Sequence, residues 1–219
     1  MLGIASYLFA LIAIMPASVV FTDRPWRSGV AGSVWHGEVG VVGGTTVRWD
    51  WAPLRSLTSL AFAADWRATG QDTDLRGGAL VGPSSIQLDH VSGSANASLL
   101  QAIEPNLPFT CAMTGQVEFE RIVAGGSSRM VKGEATSDPG SCRPKGAAAA
   151  TALPALILVA EHIGRESRIR LAPMTQRRKT LIVATLKEDG TLDLTVSPEG
   201  AAMMPFLGAV PGARIQGRM

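Results

Sequence analysis

The chain has 219 residues, 46% of them hydrophobic, with 20 basic side chains against 18 acidic ones. That length supports one large or two small domains with a substantial core. So even a charge balance gives no electrostatic reason to expect nucleic acid or another polyanion as partner. The 24 Gly and 13 Pro fall mostly in short clusters, which argues for a turn-rich β fold and against a helical bundle.

From Met1 to Thr22 no side chain is charged, and Leu2, Ile4, Leu8, Phe9, Leu11, Ile12, Ile14, Val19 and Val20 are strongly apolar. At about 1.5 Å of rise per residue such a stretch spans a hydrocarbon core of about 30 Å. It is long for the apolar region of a cleavable signal, no Lys or Arg precedes it, and Pro16-Ala17-Ser18 is a weak cleavage site. Residues 1–22 are therefore expected to be a retained transmembrane helix and residues 23–219 a β-rich domain. Arg24 and Arg27 taken alone would leave that flank in the cytoplasm. The cysteine pair described below favours the opposite side.

After Pro25-Trp26, the run Gly29 to Val39 reads as a strand with Trp35, Val39 and Val41 on one face and Val34, His36 and Glu38 on the other. Gly43-Gly44 turns the chain. Val47, Trp49 and Trp51 then alternate with Arg48 and Asp50, and Pro53 ends that strand. Leu54 to Leu60 forms a short link of about one helical turn. Further alternating runs cover Ala61 to Thr69, Leu80 to Val91 around Gly82-Pro83, Phe109 to Ile122, and Arg129 to Thr136 returning antiparallel. Ala147 to Gly164 breaks the rhythm and is expected to be a soluble helix with Pro154 near its start. Strands resume at Arg168–Leu171, Leu181–Lys187 and Leu192–Val196, with Glu188-Asp189-Gly190 as a hairpin turn. A short helix is expected around Ala201 to Leu207. The fold class is mainly β: a transmembrane helix, then a curved, mostly antiparallel sheet with one or two short helices. One sheet face is aromatic and aliphatic, the other polar.

The only cysteines are Cys111 and Cys142. Outside the cytosol such a pair is commonly oxidised, and closing the loop would contribute about 3–4 kcal/mol in the chain-entropy model. The alternative is two unrelated buried thiols. His36, His90 and His162 show no metal-ligand spacing, and Glu161 and His162 as helix neighbours would diverge. No serine lies in a nucleophile elbow, and no phosphate-binding glycine loop is present. No catalytic residue, cofactor or metal ligand is expected, so the chain is read as a non-enzyme. The Arg177-Arg178-Lys179 run is read as a solvated hairpin tip, with contact to anionic headgroups as the sharper alternative. Trp35, Trp49, Trp51 and Trp66 are read as core.

The segment Gly29-Val30-Ala31-Gly32-Ser33-Val34-Trp35-His36-Gly37, followed by Val47-Arg48-Trp49-Asp50-Trp51-Ala52-Pro53, resembles the signature of type II secretion system protein N, also called general secretion pathway protein N. The resemblance covers about twenty-five residues by motif and the whole chain by layout. It implies an inner-membrane accessory or scaffold component, with its β domain in the periplasm, that assists export of folded proteins across the outer membrane. Its implied partners are the inner-membrane platform, the outer-membrane secretin, or both, besides membrane lipid around the N-terminal helix. The family supplies no catalytic residue. Gly32, Trp35, Gly37, Trp49, Trp51 and Pro53 are expected to be structural, the glycines allowing close strand approach or a bulge. A second reading is a membrane-anchored periplasmic lipid-binding or lipid-transfer module resembling the AsmA group, in which an apolar sheet face shields acyl chains.

Overall fold

The computed structural model describes residues 13–20, 26–126, 128–208, 210 and 212–218. Its main body is a 13-stranded sheet in which every pairing is antiparallel. The strands are β1 (Arg27–Gly32), β2 (His36–Val41), β3 (Thr45–Trp51), β4 (Phe62–Gly70), β5 (Thr73–Val81), β6 (Ser85–Asn96), β8 (Thr114–Gly125), β9 (Met130–Ser137), β12 (Leu156–Ile163), β13 (Glu166–Pro173), β14 (Ile182–Lys187), β15 (Thr191–Val196) and β16 (Arg214–Arg218). They lie side by side in chain order. The chain therefore meanders: some neighbours are joined by tight turns, as at β4–β5, β5–β6 and β12–β13, and the longer connections still return the chain to the adjacent antiparallel position. At about 4.8 Å between strands the sheet is about 58 Å wide. A sheet of this breadth twists by about 20–25° per strand and cannot be flat.

The excursions from this meander build a second, 3-stranded sheet of β7 (Phe109–Ala112), β10 (Gly140–Pro144) and β11 (Thr151–Leu153), ordered β11-β10-β7. Cys111 and Cys142 are direct register partners on β7 and β10 and form a disulfide. The bridge thus ties two strands of the small sheet together, and the alternative of two unrelated buried thiols does not hold. Among the described elements after β1, three short α-helices complete the fold where one or two were expected: α1 (Pro53–Ser59), α2 (Ser98–Ile103) and α3 (Pro198–Met203). Ser197 caps α3 by accepting a hydrogen bond from the Gly200 N–H, the usual work of serine at that position.

Two expectations need correction. Ala147 to Gly164 is not a helix: it contains β11 and β12. Leu156 and Ile157 are both buried although they point to opposite faces of the sheet. A strand buried on both sides loses its two-residue polar alternation, so its apolar run imitates a helix. The Gly29–Val39 run is likewise not one strand. It is β1, a turn at Ser33–Trp35, and β2.

The expected membrane span lies largely outside the described residues, which omit 1–12 and 21–25. Within the described part Ala13 is helical, but Pro16 is extended and bridges to Ser33, and Ala17–Val19 is a 3-10 turn. The described stretch 13–20 is therefore not one continuous α-helix. Among the described residues no helix is long and apolar enough to cross a membrane.

Candidate functional site

All six motif residues converge on one corner, at the end of the sheet where β3 leads into α1. Gly32 closes β1 with φ +87°, a conformation glycine adopts without the steric cost a side chain brings. The turn after it is held by Ser33 N–H to His36 O, 2.8 Å, and by the His36 N–H to Ser33 Oγ, 3.2 Å. Trp49 lies across Gly37, its cross-strand partner. A Cβ on Gly37 would run into the Trp49 ring and the Ala31 carbonyl. The Trp49 indole N–H donates to Val34 O at 2.9 Å, and the Trp51 backbone N–H to Trp35 O at 2.7 Å. The Trp35 and Trp51 ring centroids are 4.7 Å apart, with Phe62 6.2 Å from Trp35. Pro53 occupies the first turn of α1, where its missing N–H costs nothing. The Trp51 indole then donates to Ser56 Oγ at 2.8 Å, fastening α1 back onto β3. The motif is thus a single knot of aromatic packing and hydrogen bonds.

Strand registers divide the large sheet cleanly. Starting from Trp49, the residues on its face are Val39 on β2, Trp66 on β4, Leu75 on β5, Leu88 on β6, Val117 and Phe119 on β8, Ala135 on β9, Leu158 on β12, Ile169 on β13, Ala184 on β14 and Leu194 on β15. From β2 through β16 this face carries no Asp, Glu, Lys or Arg outside the bulges. The ionic side chains stand on the other face, in pairs such as Arg48–Glu38 at 2.9 Å, Arg67–Asp74 at 2.8 Å, Arg121–Asp89 at 2.7 Å and Arg170–Glu161 at 3.2 Å.

Cover over the uncharged face comes from two corners. At the N-terminal side Ala17 packs with Val39, Trp49 and Ala64. At the C-terminal side the disulfide sheet, with Met204 and Phe206, packs on Leu156, Leu171 and Ile182. Between them Leu75, Leu88, Phe119, Ile122, Val131, Leu158 and Ile169 remain half-buried. Two further glycines admit aromatic rings there as Gly37 does: Trp66 lies over Gly77, and Phe119 over Gly133. The Trp66 indole N–H is buried with no hydrogen-bond partner among the described residues.

Two β-bulges stand side by side at His90 on β6 and Glu120 on β8, where the registers of β5–β6 and β8–β9 slip. His90 has φ +51°. Bulges bend a sheet and re-aim its side chains, and neither was legible in the residue pattern. Beside them burial pushes the Asp89 carboxyl up, but hydrogen bonds from Gln87 and Arg121 outweigh it and hold the group below the ordinary carboxylate range. The hydrogen bond from Lys132 likewise holds Glu120 low.

The histidines are dispersed. His36 Nδ1 lies 2.9 Å from Asp50 Oδ1 on the exposed ionic face, His90 sits in its bulge, and His162 Nδ1 lies 3.1 Å from Ser167 Oγ. Among the described residues no three His, Cys, Asp or Glu side chains are grouped to hold a metal ion. Arg177, Arg178 and Lys179 are exposed in the loop between β13 and β14. Comparison of the chain with family models, with curated proteins and with solved structures returned no significant match.

Proposed function

We propose that this chain is a non-enzymatic accessory component of a type II secretion system, held at the inner membrane by its uncharged N-terminal segment, with its β domain in the periplasm. The observation that carries this reading is the motif corner. The six residues that resemble the protein N signature are separated by up to twenty-one positions, yet they form one packed unit joining the first three strands to α1. A signature whose members depend on one another physically is better support than scattered identities. A disulfide within the β domain accords with an oxidising compartment. The function is then to present a rigid surface to other parts of the machine. Mild cross-linking in intact cells followed by membrane solubilisation should recover platform or secretin subunits with this chain. Their absence from the recovered material would overturn the reading.

A second reading is favoured by one specific observation, the uncharged face left half-exposed between its two covered corners. Such a trough fits a membrane-anchored module that shields the acyl chains of lipid. The span from β5 to β13 is about 24 Å at 4.8 Å per strand. One leaflet of a hydrocarbon core is about 15 Å deep, so an acyl chain has room to lie across these strands. Phospholipid retained through purification in stoichiometric amount would support this function, and a lipid-free preparation that takes up none would remove it.

A further inference from the structure

We infer that one end of the large sheet, the end bearing the motif corner and α1, sits directly in the interface of a lipid bilayer. This goes beyond the secretion reading and does not depend on it. Six of the thirteen large apolar side chains exposed among the described residues gather there. Leu54, Leu57 and Leu60 on and after α1 are 79%, 73% and 92% exposed, and Val81, Ile86 and Ile163 stand at neighbouring strand ends. Antiparallel registers fix that these belong to one rim, because Phe62, Val81, Ile86 and Ala124 are successive cross-strand partners and Ile163 ends β12 on the same side.

Three independent features identify the occupant as lipid. First, the N-terminal segment reaches the sheet at this rim: Val34 N–H donates to Met15 O at 3.0 Å, and Pro16 pairs with Ser33. Residues 1–22 are uncharged throughout, and Ile14, next to Met15, is exposed where the segment meets the rim. Second, Leu60 keeps a left-handed backbone, φ +50°, at the C-cap of α1, a position that favours glycine. A leucine there is strained and almost wholly exposed, so its side chain adds nothing to packing within the fold and is available to a surface outside it. Third, Trp35 and Trp51 lie just behind the leucines, the placement in which indoles bridge headgroups and hydrocarbon. The rim's charges include opposed pairs, such as Arg165–Glu188 and, from α1, Arg55–Asp65, while the basic Arg177-Arg178-Lys179 loop is at the opposite end. Insertion is therefore apolar and does not require anionic lipid.

The test uses the full chain reconstituted into phosphatidylcholine vesicles, with single-cysteine variants Leu57→Cys, Val81→Cys and, at the far end, Val42→Cys. The native disulfide stays intact, so one environment-sensitive dye attaches at each new thiol. Lipid-borne nitroxides should quench the dye at positions 57 and 81 several-fold more than at 42, with a blue-shifted emission at the first two. Adding an anionic phospholipid should leave the ratio unchanged. Equal quenching at all three positions, or stronger quenching at 42, overturns the inference. So does a dye at 57 that is shielded from aqueous iodide but untouched by the nitroxides, since the rim would then be covered by protein. Failure to recover secretion subunits leaves all of these readouts in place, so the two proposals fail separately.

Discussion

Gly37 and Leu60 represent opposite uses of backbone freedom. Gly37 has no side chain because the Trp49 ring occupies that space. Gly37→Ala should destabilise the domain by about 1–3 kcal/mol, the usual cost of overpacking, read as a lower urea midpoint with little change in slope. Leu60 occupies a conformation that costs a non-glycine residue about 1–2 kcal/mol. Leu60→Gly should therefore leave the fold equally stable or raise its midpoint, while weakening the rim's contact with lipid. A stabilised variant with undiminished lipid quenching would show that the leucine serves some other end. Asp89 sets a pH dependence. Its folded pKa is depressed, through hydrogen bonds from Gln87 and Arg121, so its contribution is present above the ordinary carboxylate value of about 4 and is lost as pH falls below it. Arg121→Ala should flatten this acid limb in a titration of unfolding free energy.

At the scale of elements, the small sheet is the part most dependent on a covalent link. It has three strands of three to five residues, and one of its central pairs is Cys111 with Cys142. Replacing both cysteines by serine should lower stability by about 3–4 kcal/mol, from the closure entropy of a loop with sequence separation 31. Calorimetry should show the loss, and free-thiol titration of the unaltered protein in denaturant should find no reactive group. The neighbouring β12 shows how an element's type escapes the sequence. Leu156, Ile157, Leu158 and Val159 are consecutive and apolar, and a run of this kind fits a buried helix as well as a covered strand. Pro154, near the start of the expected helix, lies in the connection between β11 and β12. The hairpin turn at Glu188–Gly190 is readable from its own residues, and β15 after it because Leu192, Leu194 and Val196 alternate with Asp193 and Thr195. The same holds for β3, whose Arg48 and Asp50 mark the solvent face.

Across the whole molecule, the separation of charge between the two sheet faces is the property with the widest functional consequence. It predicts that adjacent substitutions on one strand will differ sharply. Val117→Lys puts a charge on the half-exposed apolar face, and Gln116→Lys puts one on the ionic face. The first should reduce retained phospholipid severalfold in a lipid-extraction assay, while the second should leave it unchanged. Equal retention in both would remove the apolar face from any lipid role. The sequence determined this two-sidedness, because side chains alternate with period two and a strand's register cannot slip by one residue without inverting its faces. It also determined the strand–turn rhythm and the concentration of Trp35, Trp49, Trp51 and Trp66 in the first third of the chain. The tertiary structure alone decided which strands are neighbours, that the cysteines face each other, and where the paired bulges fall. It alone gathered Leu54, Val81 and Ile163 onto one rim. These depend on contacts between residues far apart in the chain, and local periodicity carries no information about which distant partner will cover an apolar side chain and which will be left exposed.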